Sequence, residues 1–224
     1  MLDKKNFYID GKWVSPIESR SFKVIDPSNE KPCAEISLGG KQDVDKAVSA
    51  AKKAFETWAF SKKEERLELL EKLYVVYKKR WAEMAKLIST EMGAPMKFST
   101  EMQAATGASH IKSFKNILKD FKFEKDLGEE KNNQKLLYEP KGVCALITPW
   151  NWPINQVNLK VIPALASACT VVLKPSEIAP LSSMLLAEMI DEAKFPAGVF
   201  NLVNGDGAIT GDALTSHPDI DMIS

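Results

Sequence analysis

Asn151, Lys174 and Glu177 are the side chains whose types and spacing suggest chemistry in this sequence. Asn151 lies in Pro149-Trp150-Asn151-Trp152-Pro153, directly after the apolar run Gly142 to Thr148. A carboxamide held in such a turn can polarise a carbonyl oxygen, and a preorganised donor of this kind lowers a barrier by roughly 3–4 kcal/mol. Support of the turn itself is the competing role, a common one for asparagine. Lys174-Pro175-Ser176-Glu177 closes the next strand-like run, Thr170 to Leu173, and sets a cation and a carboxylate at its end. That edge of a parallel sheet is where open α/β sheets bind ligands; equally, Ser176 could cap a helix whose dipole Glu177 faces. Gly205-Asp206-Gly207, with Gly211, reads as a strand-to-helix turn where missing Cβ atoms let a backbone or a ribose and pyrophosphate approach closely. Its spacing departs from Gly-x-Gly-x-x-Gly, because Thr210 stands at the third glycine's place and Gly211 comes one later.

The elements that must position these residues alternate. After Gly142 the pattern predicts a strand at 142–148, a helix from about Ile154 to Ser167, a strand at 170–174, a helix at 181–193 and a strand at 199–203. Such βαβαβ order implies an α/β fold, a Rossmann-like parallel sheet flanked by helices, with right-handed crossovers and ligands bound beyond the carboxyl ends of the strands. Asn151, Lys174 and Gly207 are thereby expected at one edge. A helical stretch from Ala208 to Thr215 follows, and Asp221 to Ser224 opens a strand without continuation, so a fragment incomplete at its C-terminus is expected.

Upstream, Asp10-Gly11 between Phe7-Tyr-Ile9 and Lys12-Trp-Val14 suits a type I′ hairpin, and extended pieces around 22–25 and 34–37 suggest another. Helical periodicity starts at Asp43, and Ser61-Lys-Lys-Glu64 resembles a capping box for a second helix carrying Leu67, Leu70, Leu73 and Tyr77. A third helix spans about Trp81 to Met92 before Gly93-Ala-Pro95, and a fourth about Thr100 to Lys119. The charged segment Phe121 to Pro140 reads as either a solvated loop or a hairpin arm. Three units are expected: 1–120, hairpins and helices packing on the sheet domain; 121–141, the arm; and 142–224, the first part of that α/β domain.

Composition narrows the function. Thirty basic and thirty acidic side chains in 224 residues leave no global field for nucleic acid or an anionic membrane. No run approaches a membrane span and the N-terminus lacks a signal-peptide core, so the cytoplasm is the expected location. Three scattered cysteines and two histidines support neither a disulfide framework nor a metal site. Cys144 and Cys169, in apolar company, read as buried and inert, and His217 in Ser-His-Pro-Asp as the cap of a connection.

Taken together, Ile147 to Pro153, Lys174 to Glu177 and Gly205-Asp206-Gly207 resemble the aldehyde dehydrogenase superfamily, over nearly the whole chain. Members are about twice as long, and the portion bearing their nucleophilic cysteine has no counterpart here. The resemblance implies an NAD(P)-dependent enzyme that oxidises a small-molecule aldehyde to a carboxylic acid through a cysteine thiohemiacetal. Asn151 takes the place of the catalytic amide that stabilises the oxyanion. Ile147, Thr148, Pro149, Trp150, Lys174, Ser176, Glu177, Gly207 and Gly211 take the place of cofactor contacts. Glu177 disfavours a 2′-phosphate and so points to NAD, although Lys174 and Ser176 could tolerate NADP. A homodimer or homotetramer joined through the arm is implied for the complete protein, and no turnover for this portion alone. Pro-Trp-Asn-Trp-Pro fits the hydrolytic branch better than a coenzyme A-acylating one. Met102, Thr106 and Ile111 could line an aldehyde entrance by the same analogy, with core packing the simpler role. The alternative function is a noncatalytic dinucleotide-binding or interaction module.

Overall fold

Phe7, Tyr8 and Ile9 are buried, and the chain spends its first forty residues bringing them and the next hairpin onto the core. The computed structural model describes residues 1–18, 20–127 and 134–224. Strand β1 (Leu2–Lys4) is followed by β2 (Phe7–Ile9) and β3 (Lys12–Val14), whose turn has Asp10 at φ 52° and Gly11 at φ 71°, both left-handed as the type I′ turn requires. β4 (Arg20–Asp26) and β5 (Lys31–Leu38) form the second hairpin, with an irregularity between Val24 and Ile25. β1 adds to β5 in parallel, a pairing that three residues of sequence give no sign of.

Helix α1 (Lys41–Trp58) begins two residues earlier than its periodicity suggests, because the Asp43 carboxylate accepts from the Gly40 amide at 3.0 Å and seals the first turn. Val44, Ala47, Val48 and Ala51 make its buried stripe. Helix α2 (Lys63–Lys79) corrects the expected capping box. It has no side-chain cap, and Ser61 instead accepts from Arg66, through its carbonyl at 2.6 Å and its hydroxyl at 3.1 Å. Helix α3 (Trp81–Met92) ends at left-handed Gly93. The fourth expected helix starts earlier and less regularly: α4 (Met96–Phe98) passes through a π-helical turn (Ser99–Gln103) into α5 (Ala104–Asp120). β6 (Glu124–Asp126) and β7 (Lys135–Leu137) pair antiparallel, which favours the hairpin reading of this segment; the expected tip, 128–133, lies outside the described residues.

The second half keeps the expected alternation: β8 (Val143–Ile147), α6 (Pro153–Ala166), β9 (Thr170–Lys174), α7 (Leu181–Glu192), β10 (Phe200–Leu202), a π-helical turn (Gly207–Gly211), α8 (Asp212–Thr215) and β11 (Met222–Ile223). The main sheet runs β11-β8-β9-β10-β2-β3. Its first four strands are parallel, and β2 joins β10 antiparallel, so the N-terminal hairpin completes the sheet.

Strand alternation assigns the two faces. Val143, Ala145, Val172 and Val203 meet α1 and Leu214 of α8 in one apolar cluster with Phe7 and Ile9. Cys144, Leu146, Val171 and Leu173 belong to the other cluster, with Ile154, Val157 and Val161 of α6 and Leu185, Leu186 and Met189 of α7. A sheet covered on both faces explains why β8 and β9 read as continuous apolar runs. The strands must then present their chemistry at an end, since neither face meets solvent.

Candidate functional site

Register fixes what meets at that end. Ile147 lies opposite Lys174, and Leu173 opposite Leu202, so the turns after β8, β9 and β10 leave the same carboxyl edge side by side. The Thr148 amide donates to the Lys174 carbonyl at 3.2 Å and the Val203 amide to the Leu173 carbonyl at 3.0 Å, prolonging the ladder into the turns.

The turn after β8 is open. Pro149, Trp150 and Asn151 are exposed and Ile147 is partly so, whereas Thr148 is buried with its hydroxyl oxygen unpartnered among the described residues. Trp152 takes left-handed backbone angles, φ 56° and ψ 56°, an unfavourable conformation for a bulky residue. Pro153, whose ring disfavours an α-region residue before it, follows as the first residue of α6. The Trp152 ring packs edge-on against Phe98, with centroids 5.5 Å apart, and this contact helps hold the strained turn.

The turns after β9 and β10 are tied to each other. Lys174 is only 3% exposed, and its ammonium donates to the Gly205 carbonyl at 2.7 Å and to the Pro175 carbonyl at 3.1 Å. Burial lowers its pKa, against the opposing charges of Glu177 and Asp206. The Glu177 carboxylate stands 3.8 Å from the ammonium and remains partly accessible. Lys174 therefore braces two strand ends with donors that the sequence alone assigns to a ligand. Ser176 does not cap a helix, since α7 begins only at Leu181; its hydroxyl accepts from the Ile178 amide at 3.3 Å.

The cap of α7 comes from a residue that sequence reasoning passed over. Glu91, fully buried on α3, accepts from the Leu181 amide and from the Ser182 amide at 3.0 Å. Burial raises its pKa to about 7 despite those hydrogen bonds. A glutamate in a helix reads as an exposed polar residue until the fold brings another helix's first turn onto it.

The glycine turn divides its roles. A Cβ at Gly205 would overlap the Thr210 side chain, so that glycine serves packing. A Cβ at Gly207 would meet nothing within 4 Å, so bare backbone faces open space there. At Gly211 a Cβ would lie 3.9 Å from the Lys174 Cε, which puts the Lys174 stem directly under the turn.

The remaining candidates separate. Cys144 and Cys169 are buried and in mutual contact, and their shared hydrogen bond together with burial pushes the Cys144 thiol up. Cys33, partly buried, is also raised, by burial and then by Asp26. His217 accepts from the Asp219 amide at 3.1 Å and does cap its connection. Ile111 is core, but Met102 is half-exposed and the Thr106 hydroxyl donates to the Met102 carbonyl, so core packing holds for the first alone. A cleft of about 700 Å³ around Lys4, Trp13 and Glu188 shares no residue with these turns. Among the described residues no group of three His, Cys, Asp or Glu side chains could hold a metal, and no helix is long and apolar enough to cross a membrane.

A parallel sheet with a polar, glycine-bearing carboxyl edge defines the class of α/β ligand-binding domains. The aldehyde dehydrogenase family profile matches residues 13–224, and the chain belongs to that family. It is 49% identical over its whole length to a 3-succinoylsemialdehyde-pyridine dehydrogenase from a Pseudomonas species, covering 46% of that protein. Among solved structures it resembles an aldehyde dehydrogenase from Bartonella henselae, with 56% identity, a TM-score of 0.97, and coverage of 100% of this chain and 47% of that one. A mutant aldehyde dehydrogenase C from Pseudomonas syringae, crystallised with NAD+ and octanal, is 43% identical with a TM-score of 0.95, over 98% of this chain and 44% of its own. The chain thus spans about half the length of the relatives it matches, and corresponds to their N-terminal portion.

Proposed function

We propose that this chain is the cofactor-binding first half of an aldehyde dehydrogenase that oxidises an aldehyde to a carboxylic acid with NAD as acceptor. The observation that carries the reading is the common edge, where Asn151, Lys174, Glu177 and Gly207 end three adjacent parallel strands. The residues fit the cofactor's adenosine half. Glu177 presents a partly accessible carboxylate to ribose hydroxyls, and the open backbone at Gly207 leaves room that a side chain would fill. Gly211, Ser176 and the segment Ile147, Thr148, Pro149 and Trp150 complete the surround, with the unpartnered Thr148 hydroxyl a further donor. Lys174 holds Gly205 in place, and contributes to a ribose only the donor capacity that its two carbonyls leave. A bound dinucleotide supplies the hydride acceptor, which no side chain of this sequence can replace.

Asn151, exposed in the turn after β8, is the donor that would meet a substrate carbonyl as it becomes an oxyanion. Octanal and the pyridyl semialdehyde named for two relatives have the aldehyde group in common and little else, which supports assigning Asn151 to that group. The attacking thiolate is assigned to the second half of the complete enzyme. The hydrogen bond with Cys144 lowers the Cys169 thiol to about 5, but Cys169 and Cys144 are 4% and 2% exposed, out of reach of an aldehyde, and Cys33 donates to the Val24 carbonyl at 3.3 Å with a raised pKa, so none is assigned as the nucleophile. On its own the chain is then a dinucleotide-binding module without turnover. The units 1–120, 121–141 and 142–224 are assigned as packing segment, assembly arm and first part of the cofactor domain of a homodimer or homotetramer.

Calorimetry of the 224-residue chain with ADP-ribose and with its 2′-phosphate tests the reading. The expected result is tighter binding of ADP-ribose and a gap that narrows in Glu177→Gln, because the repelling charge is gone. Equal binding of the two ligands by wild type would refute the role of Glu177, and binding of neither would refute the site.

A further inference from the structure

The wall of this site is held by a side chain far away in sequence. We infer that Arg20, on the hairpin sheet, is a positioning residue that latches the 205–211 turn in the geometry the proposed cofactor site uses; this rests on the reading of that edge given above.

Arg20 uses its guanidinium as a fork. One nitrogen meets the Asp206 carboxylate at 2.6 Å and the other donates to the Gly39 carbonyl at 2.7 Å. The same Gly39 carbonyl accepts from the Thr210 hydroxyl at 2.5 Å, and the Gly39 amide donates to the Asn204 carbonyl at 2.8 Å. A single glycine thus joins both flanks of the turn to Arg20. Only glycine fits there, because a Cβ on Gly39 would press on the Val203 side chain at 2.7 Å. Asp206 passes the constraint on: its side chain accepts from the Ile209 amide at 2.7 Å, and its carbonyl from the Gly211 amide at 3.0 Å. Burial works to raise the Asp206 pKa, and Arg20 with the Ile209 amide outweighs it.

The latch has its own anchor. The buried Asp43 carboxylate accepts from the Ile17 amide at 2.9 Å and the Gly40 amide at 3.0 Å, fixing the approach to Arg20 on one side and the Gly39–Gly40 corner on the other. Arginine is needed because two acceptors must be met in one plane, which a lysine ammonium on a flexible stem cannot match. Opposite, Lys174 holds the Gly205 carbonyl from beneath. The turn is therefore clamped between a cation inside the sheet edge and a cation outside it, while Gly207 between them stays bare.

The test uses the 224-residue chain, with ADP-ribose affinity by calorimetry and amide hydrogen exchange at Ile209 and Gly211. Arg20→Met is expected to weaken ADP-ribose about five- to tenfold and to speed both exchanges, with Arg20→Lys intermediate and Arg20→Met/Asp206→Asn no worse than the worse single variant. A general loss of stability would speed exchange throughout the sheet; the latch predicts acceleration confined to 204–211. Wild-type binding that Arg20→Met leaves unchanged, or exchange at Ile209 and Gly211 that does not accelerate, overturns the role of Arg20 alone. A wild-type chain that takes no ADP-ribose overturns the reading of the edge and the positioning role with it.

Discussion

The turn after β8 and the turns after β9 and β10 leave the same sheet edge, yet they treat their polar groups in opposite ways. Asn151 stands exposed beside a strained Trp152, braced by an aromatic contact. Lys174 and Asp206 direct their charges at neighbouring backbone and side chains, and Gly205 makes room for Thr210. The difference fits two kinds of task. Under the proposed function, the group that would meet a reacting atom is left free, whereas the wall that would face a cofactor is tied together by Lys174 and Asp206 with Gly207 left bare.

Perturbing the tied side should cost stability, and perturbing the open side should not. The largest effect is expected from pH. Glu91, which caps the helix after β9, has its pKa raised to about 7, above its unfolded value, so the folded chain binds the extra proton between those values. Its contribution is full below the unfolded pKa and is lost as pH rises to about 7, a fall of about 3 kcal/mol across that window. Urea denaturation from pH 4.5 to 7.5 should record this slope, and Glu91→Gln should flatten it. Next comes Lys174→Met, which leaves the Gly205 and Pro175 carbonyls without their charged donor and should cost roughly 2–3 kcal/mol. Gly205→Ala, forced against Thr210, is expected to lose about 2 kcal/mol, whereas Gly207→Ala, in open space, should stay within about 0.5 kcal/mol while still weakening ADP-ribose. Smallest of all, Asn151→Ala should shift stability by less than about 0.5 kcal/mol. A large loss there, or none at Lys174, would erase the contrast.

Much of this arrangement is legible in the sequence because it is local. The apolar runs before Asn151 and Lys174, the helical spacing between them and the left-handed pair Asp10-Gly11 each carry their own signal. What escapes is long-range. β1 and β2 are three residues each, too short for a period, and their pairing with β5 and β10 is decided by tertiary contact. Ser61 offered a cap but lies before a helix that starts without one, because Arg66 claims its oxygens. Glu91 and Arg20 look like surface charges until helix α3 reaches α7 and the hairpin sheet reaches the glycine turn. The sequence marks Lys174 as a candidate site residue, but carries no sign of its burial or its two carbonyl partners.

The proposed function places the adenosine half of a dinucleotide at the carboxyl edge of β8, β9 and β10. Amide shifts in the isotope-labelled 224-residue chain, followed by NMR as ADP-ribose is added, test it most directly. Saturable changes are expected to concentrate at Lys174 to Ile178 and Gly205 to Gly211, with the cleft around Lys4, Trp13 and Glu188 unmoved. Changes centred on that cleft, or none at the carboxyl edge when ADP-ribose is in large excess, would contradict it.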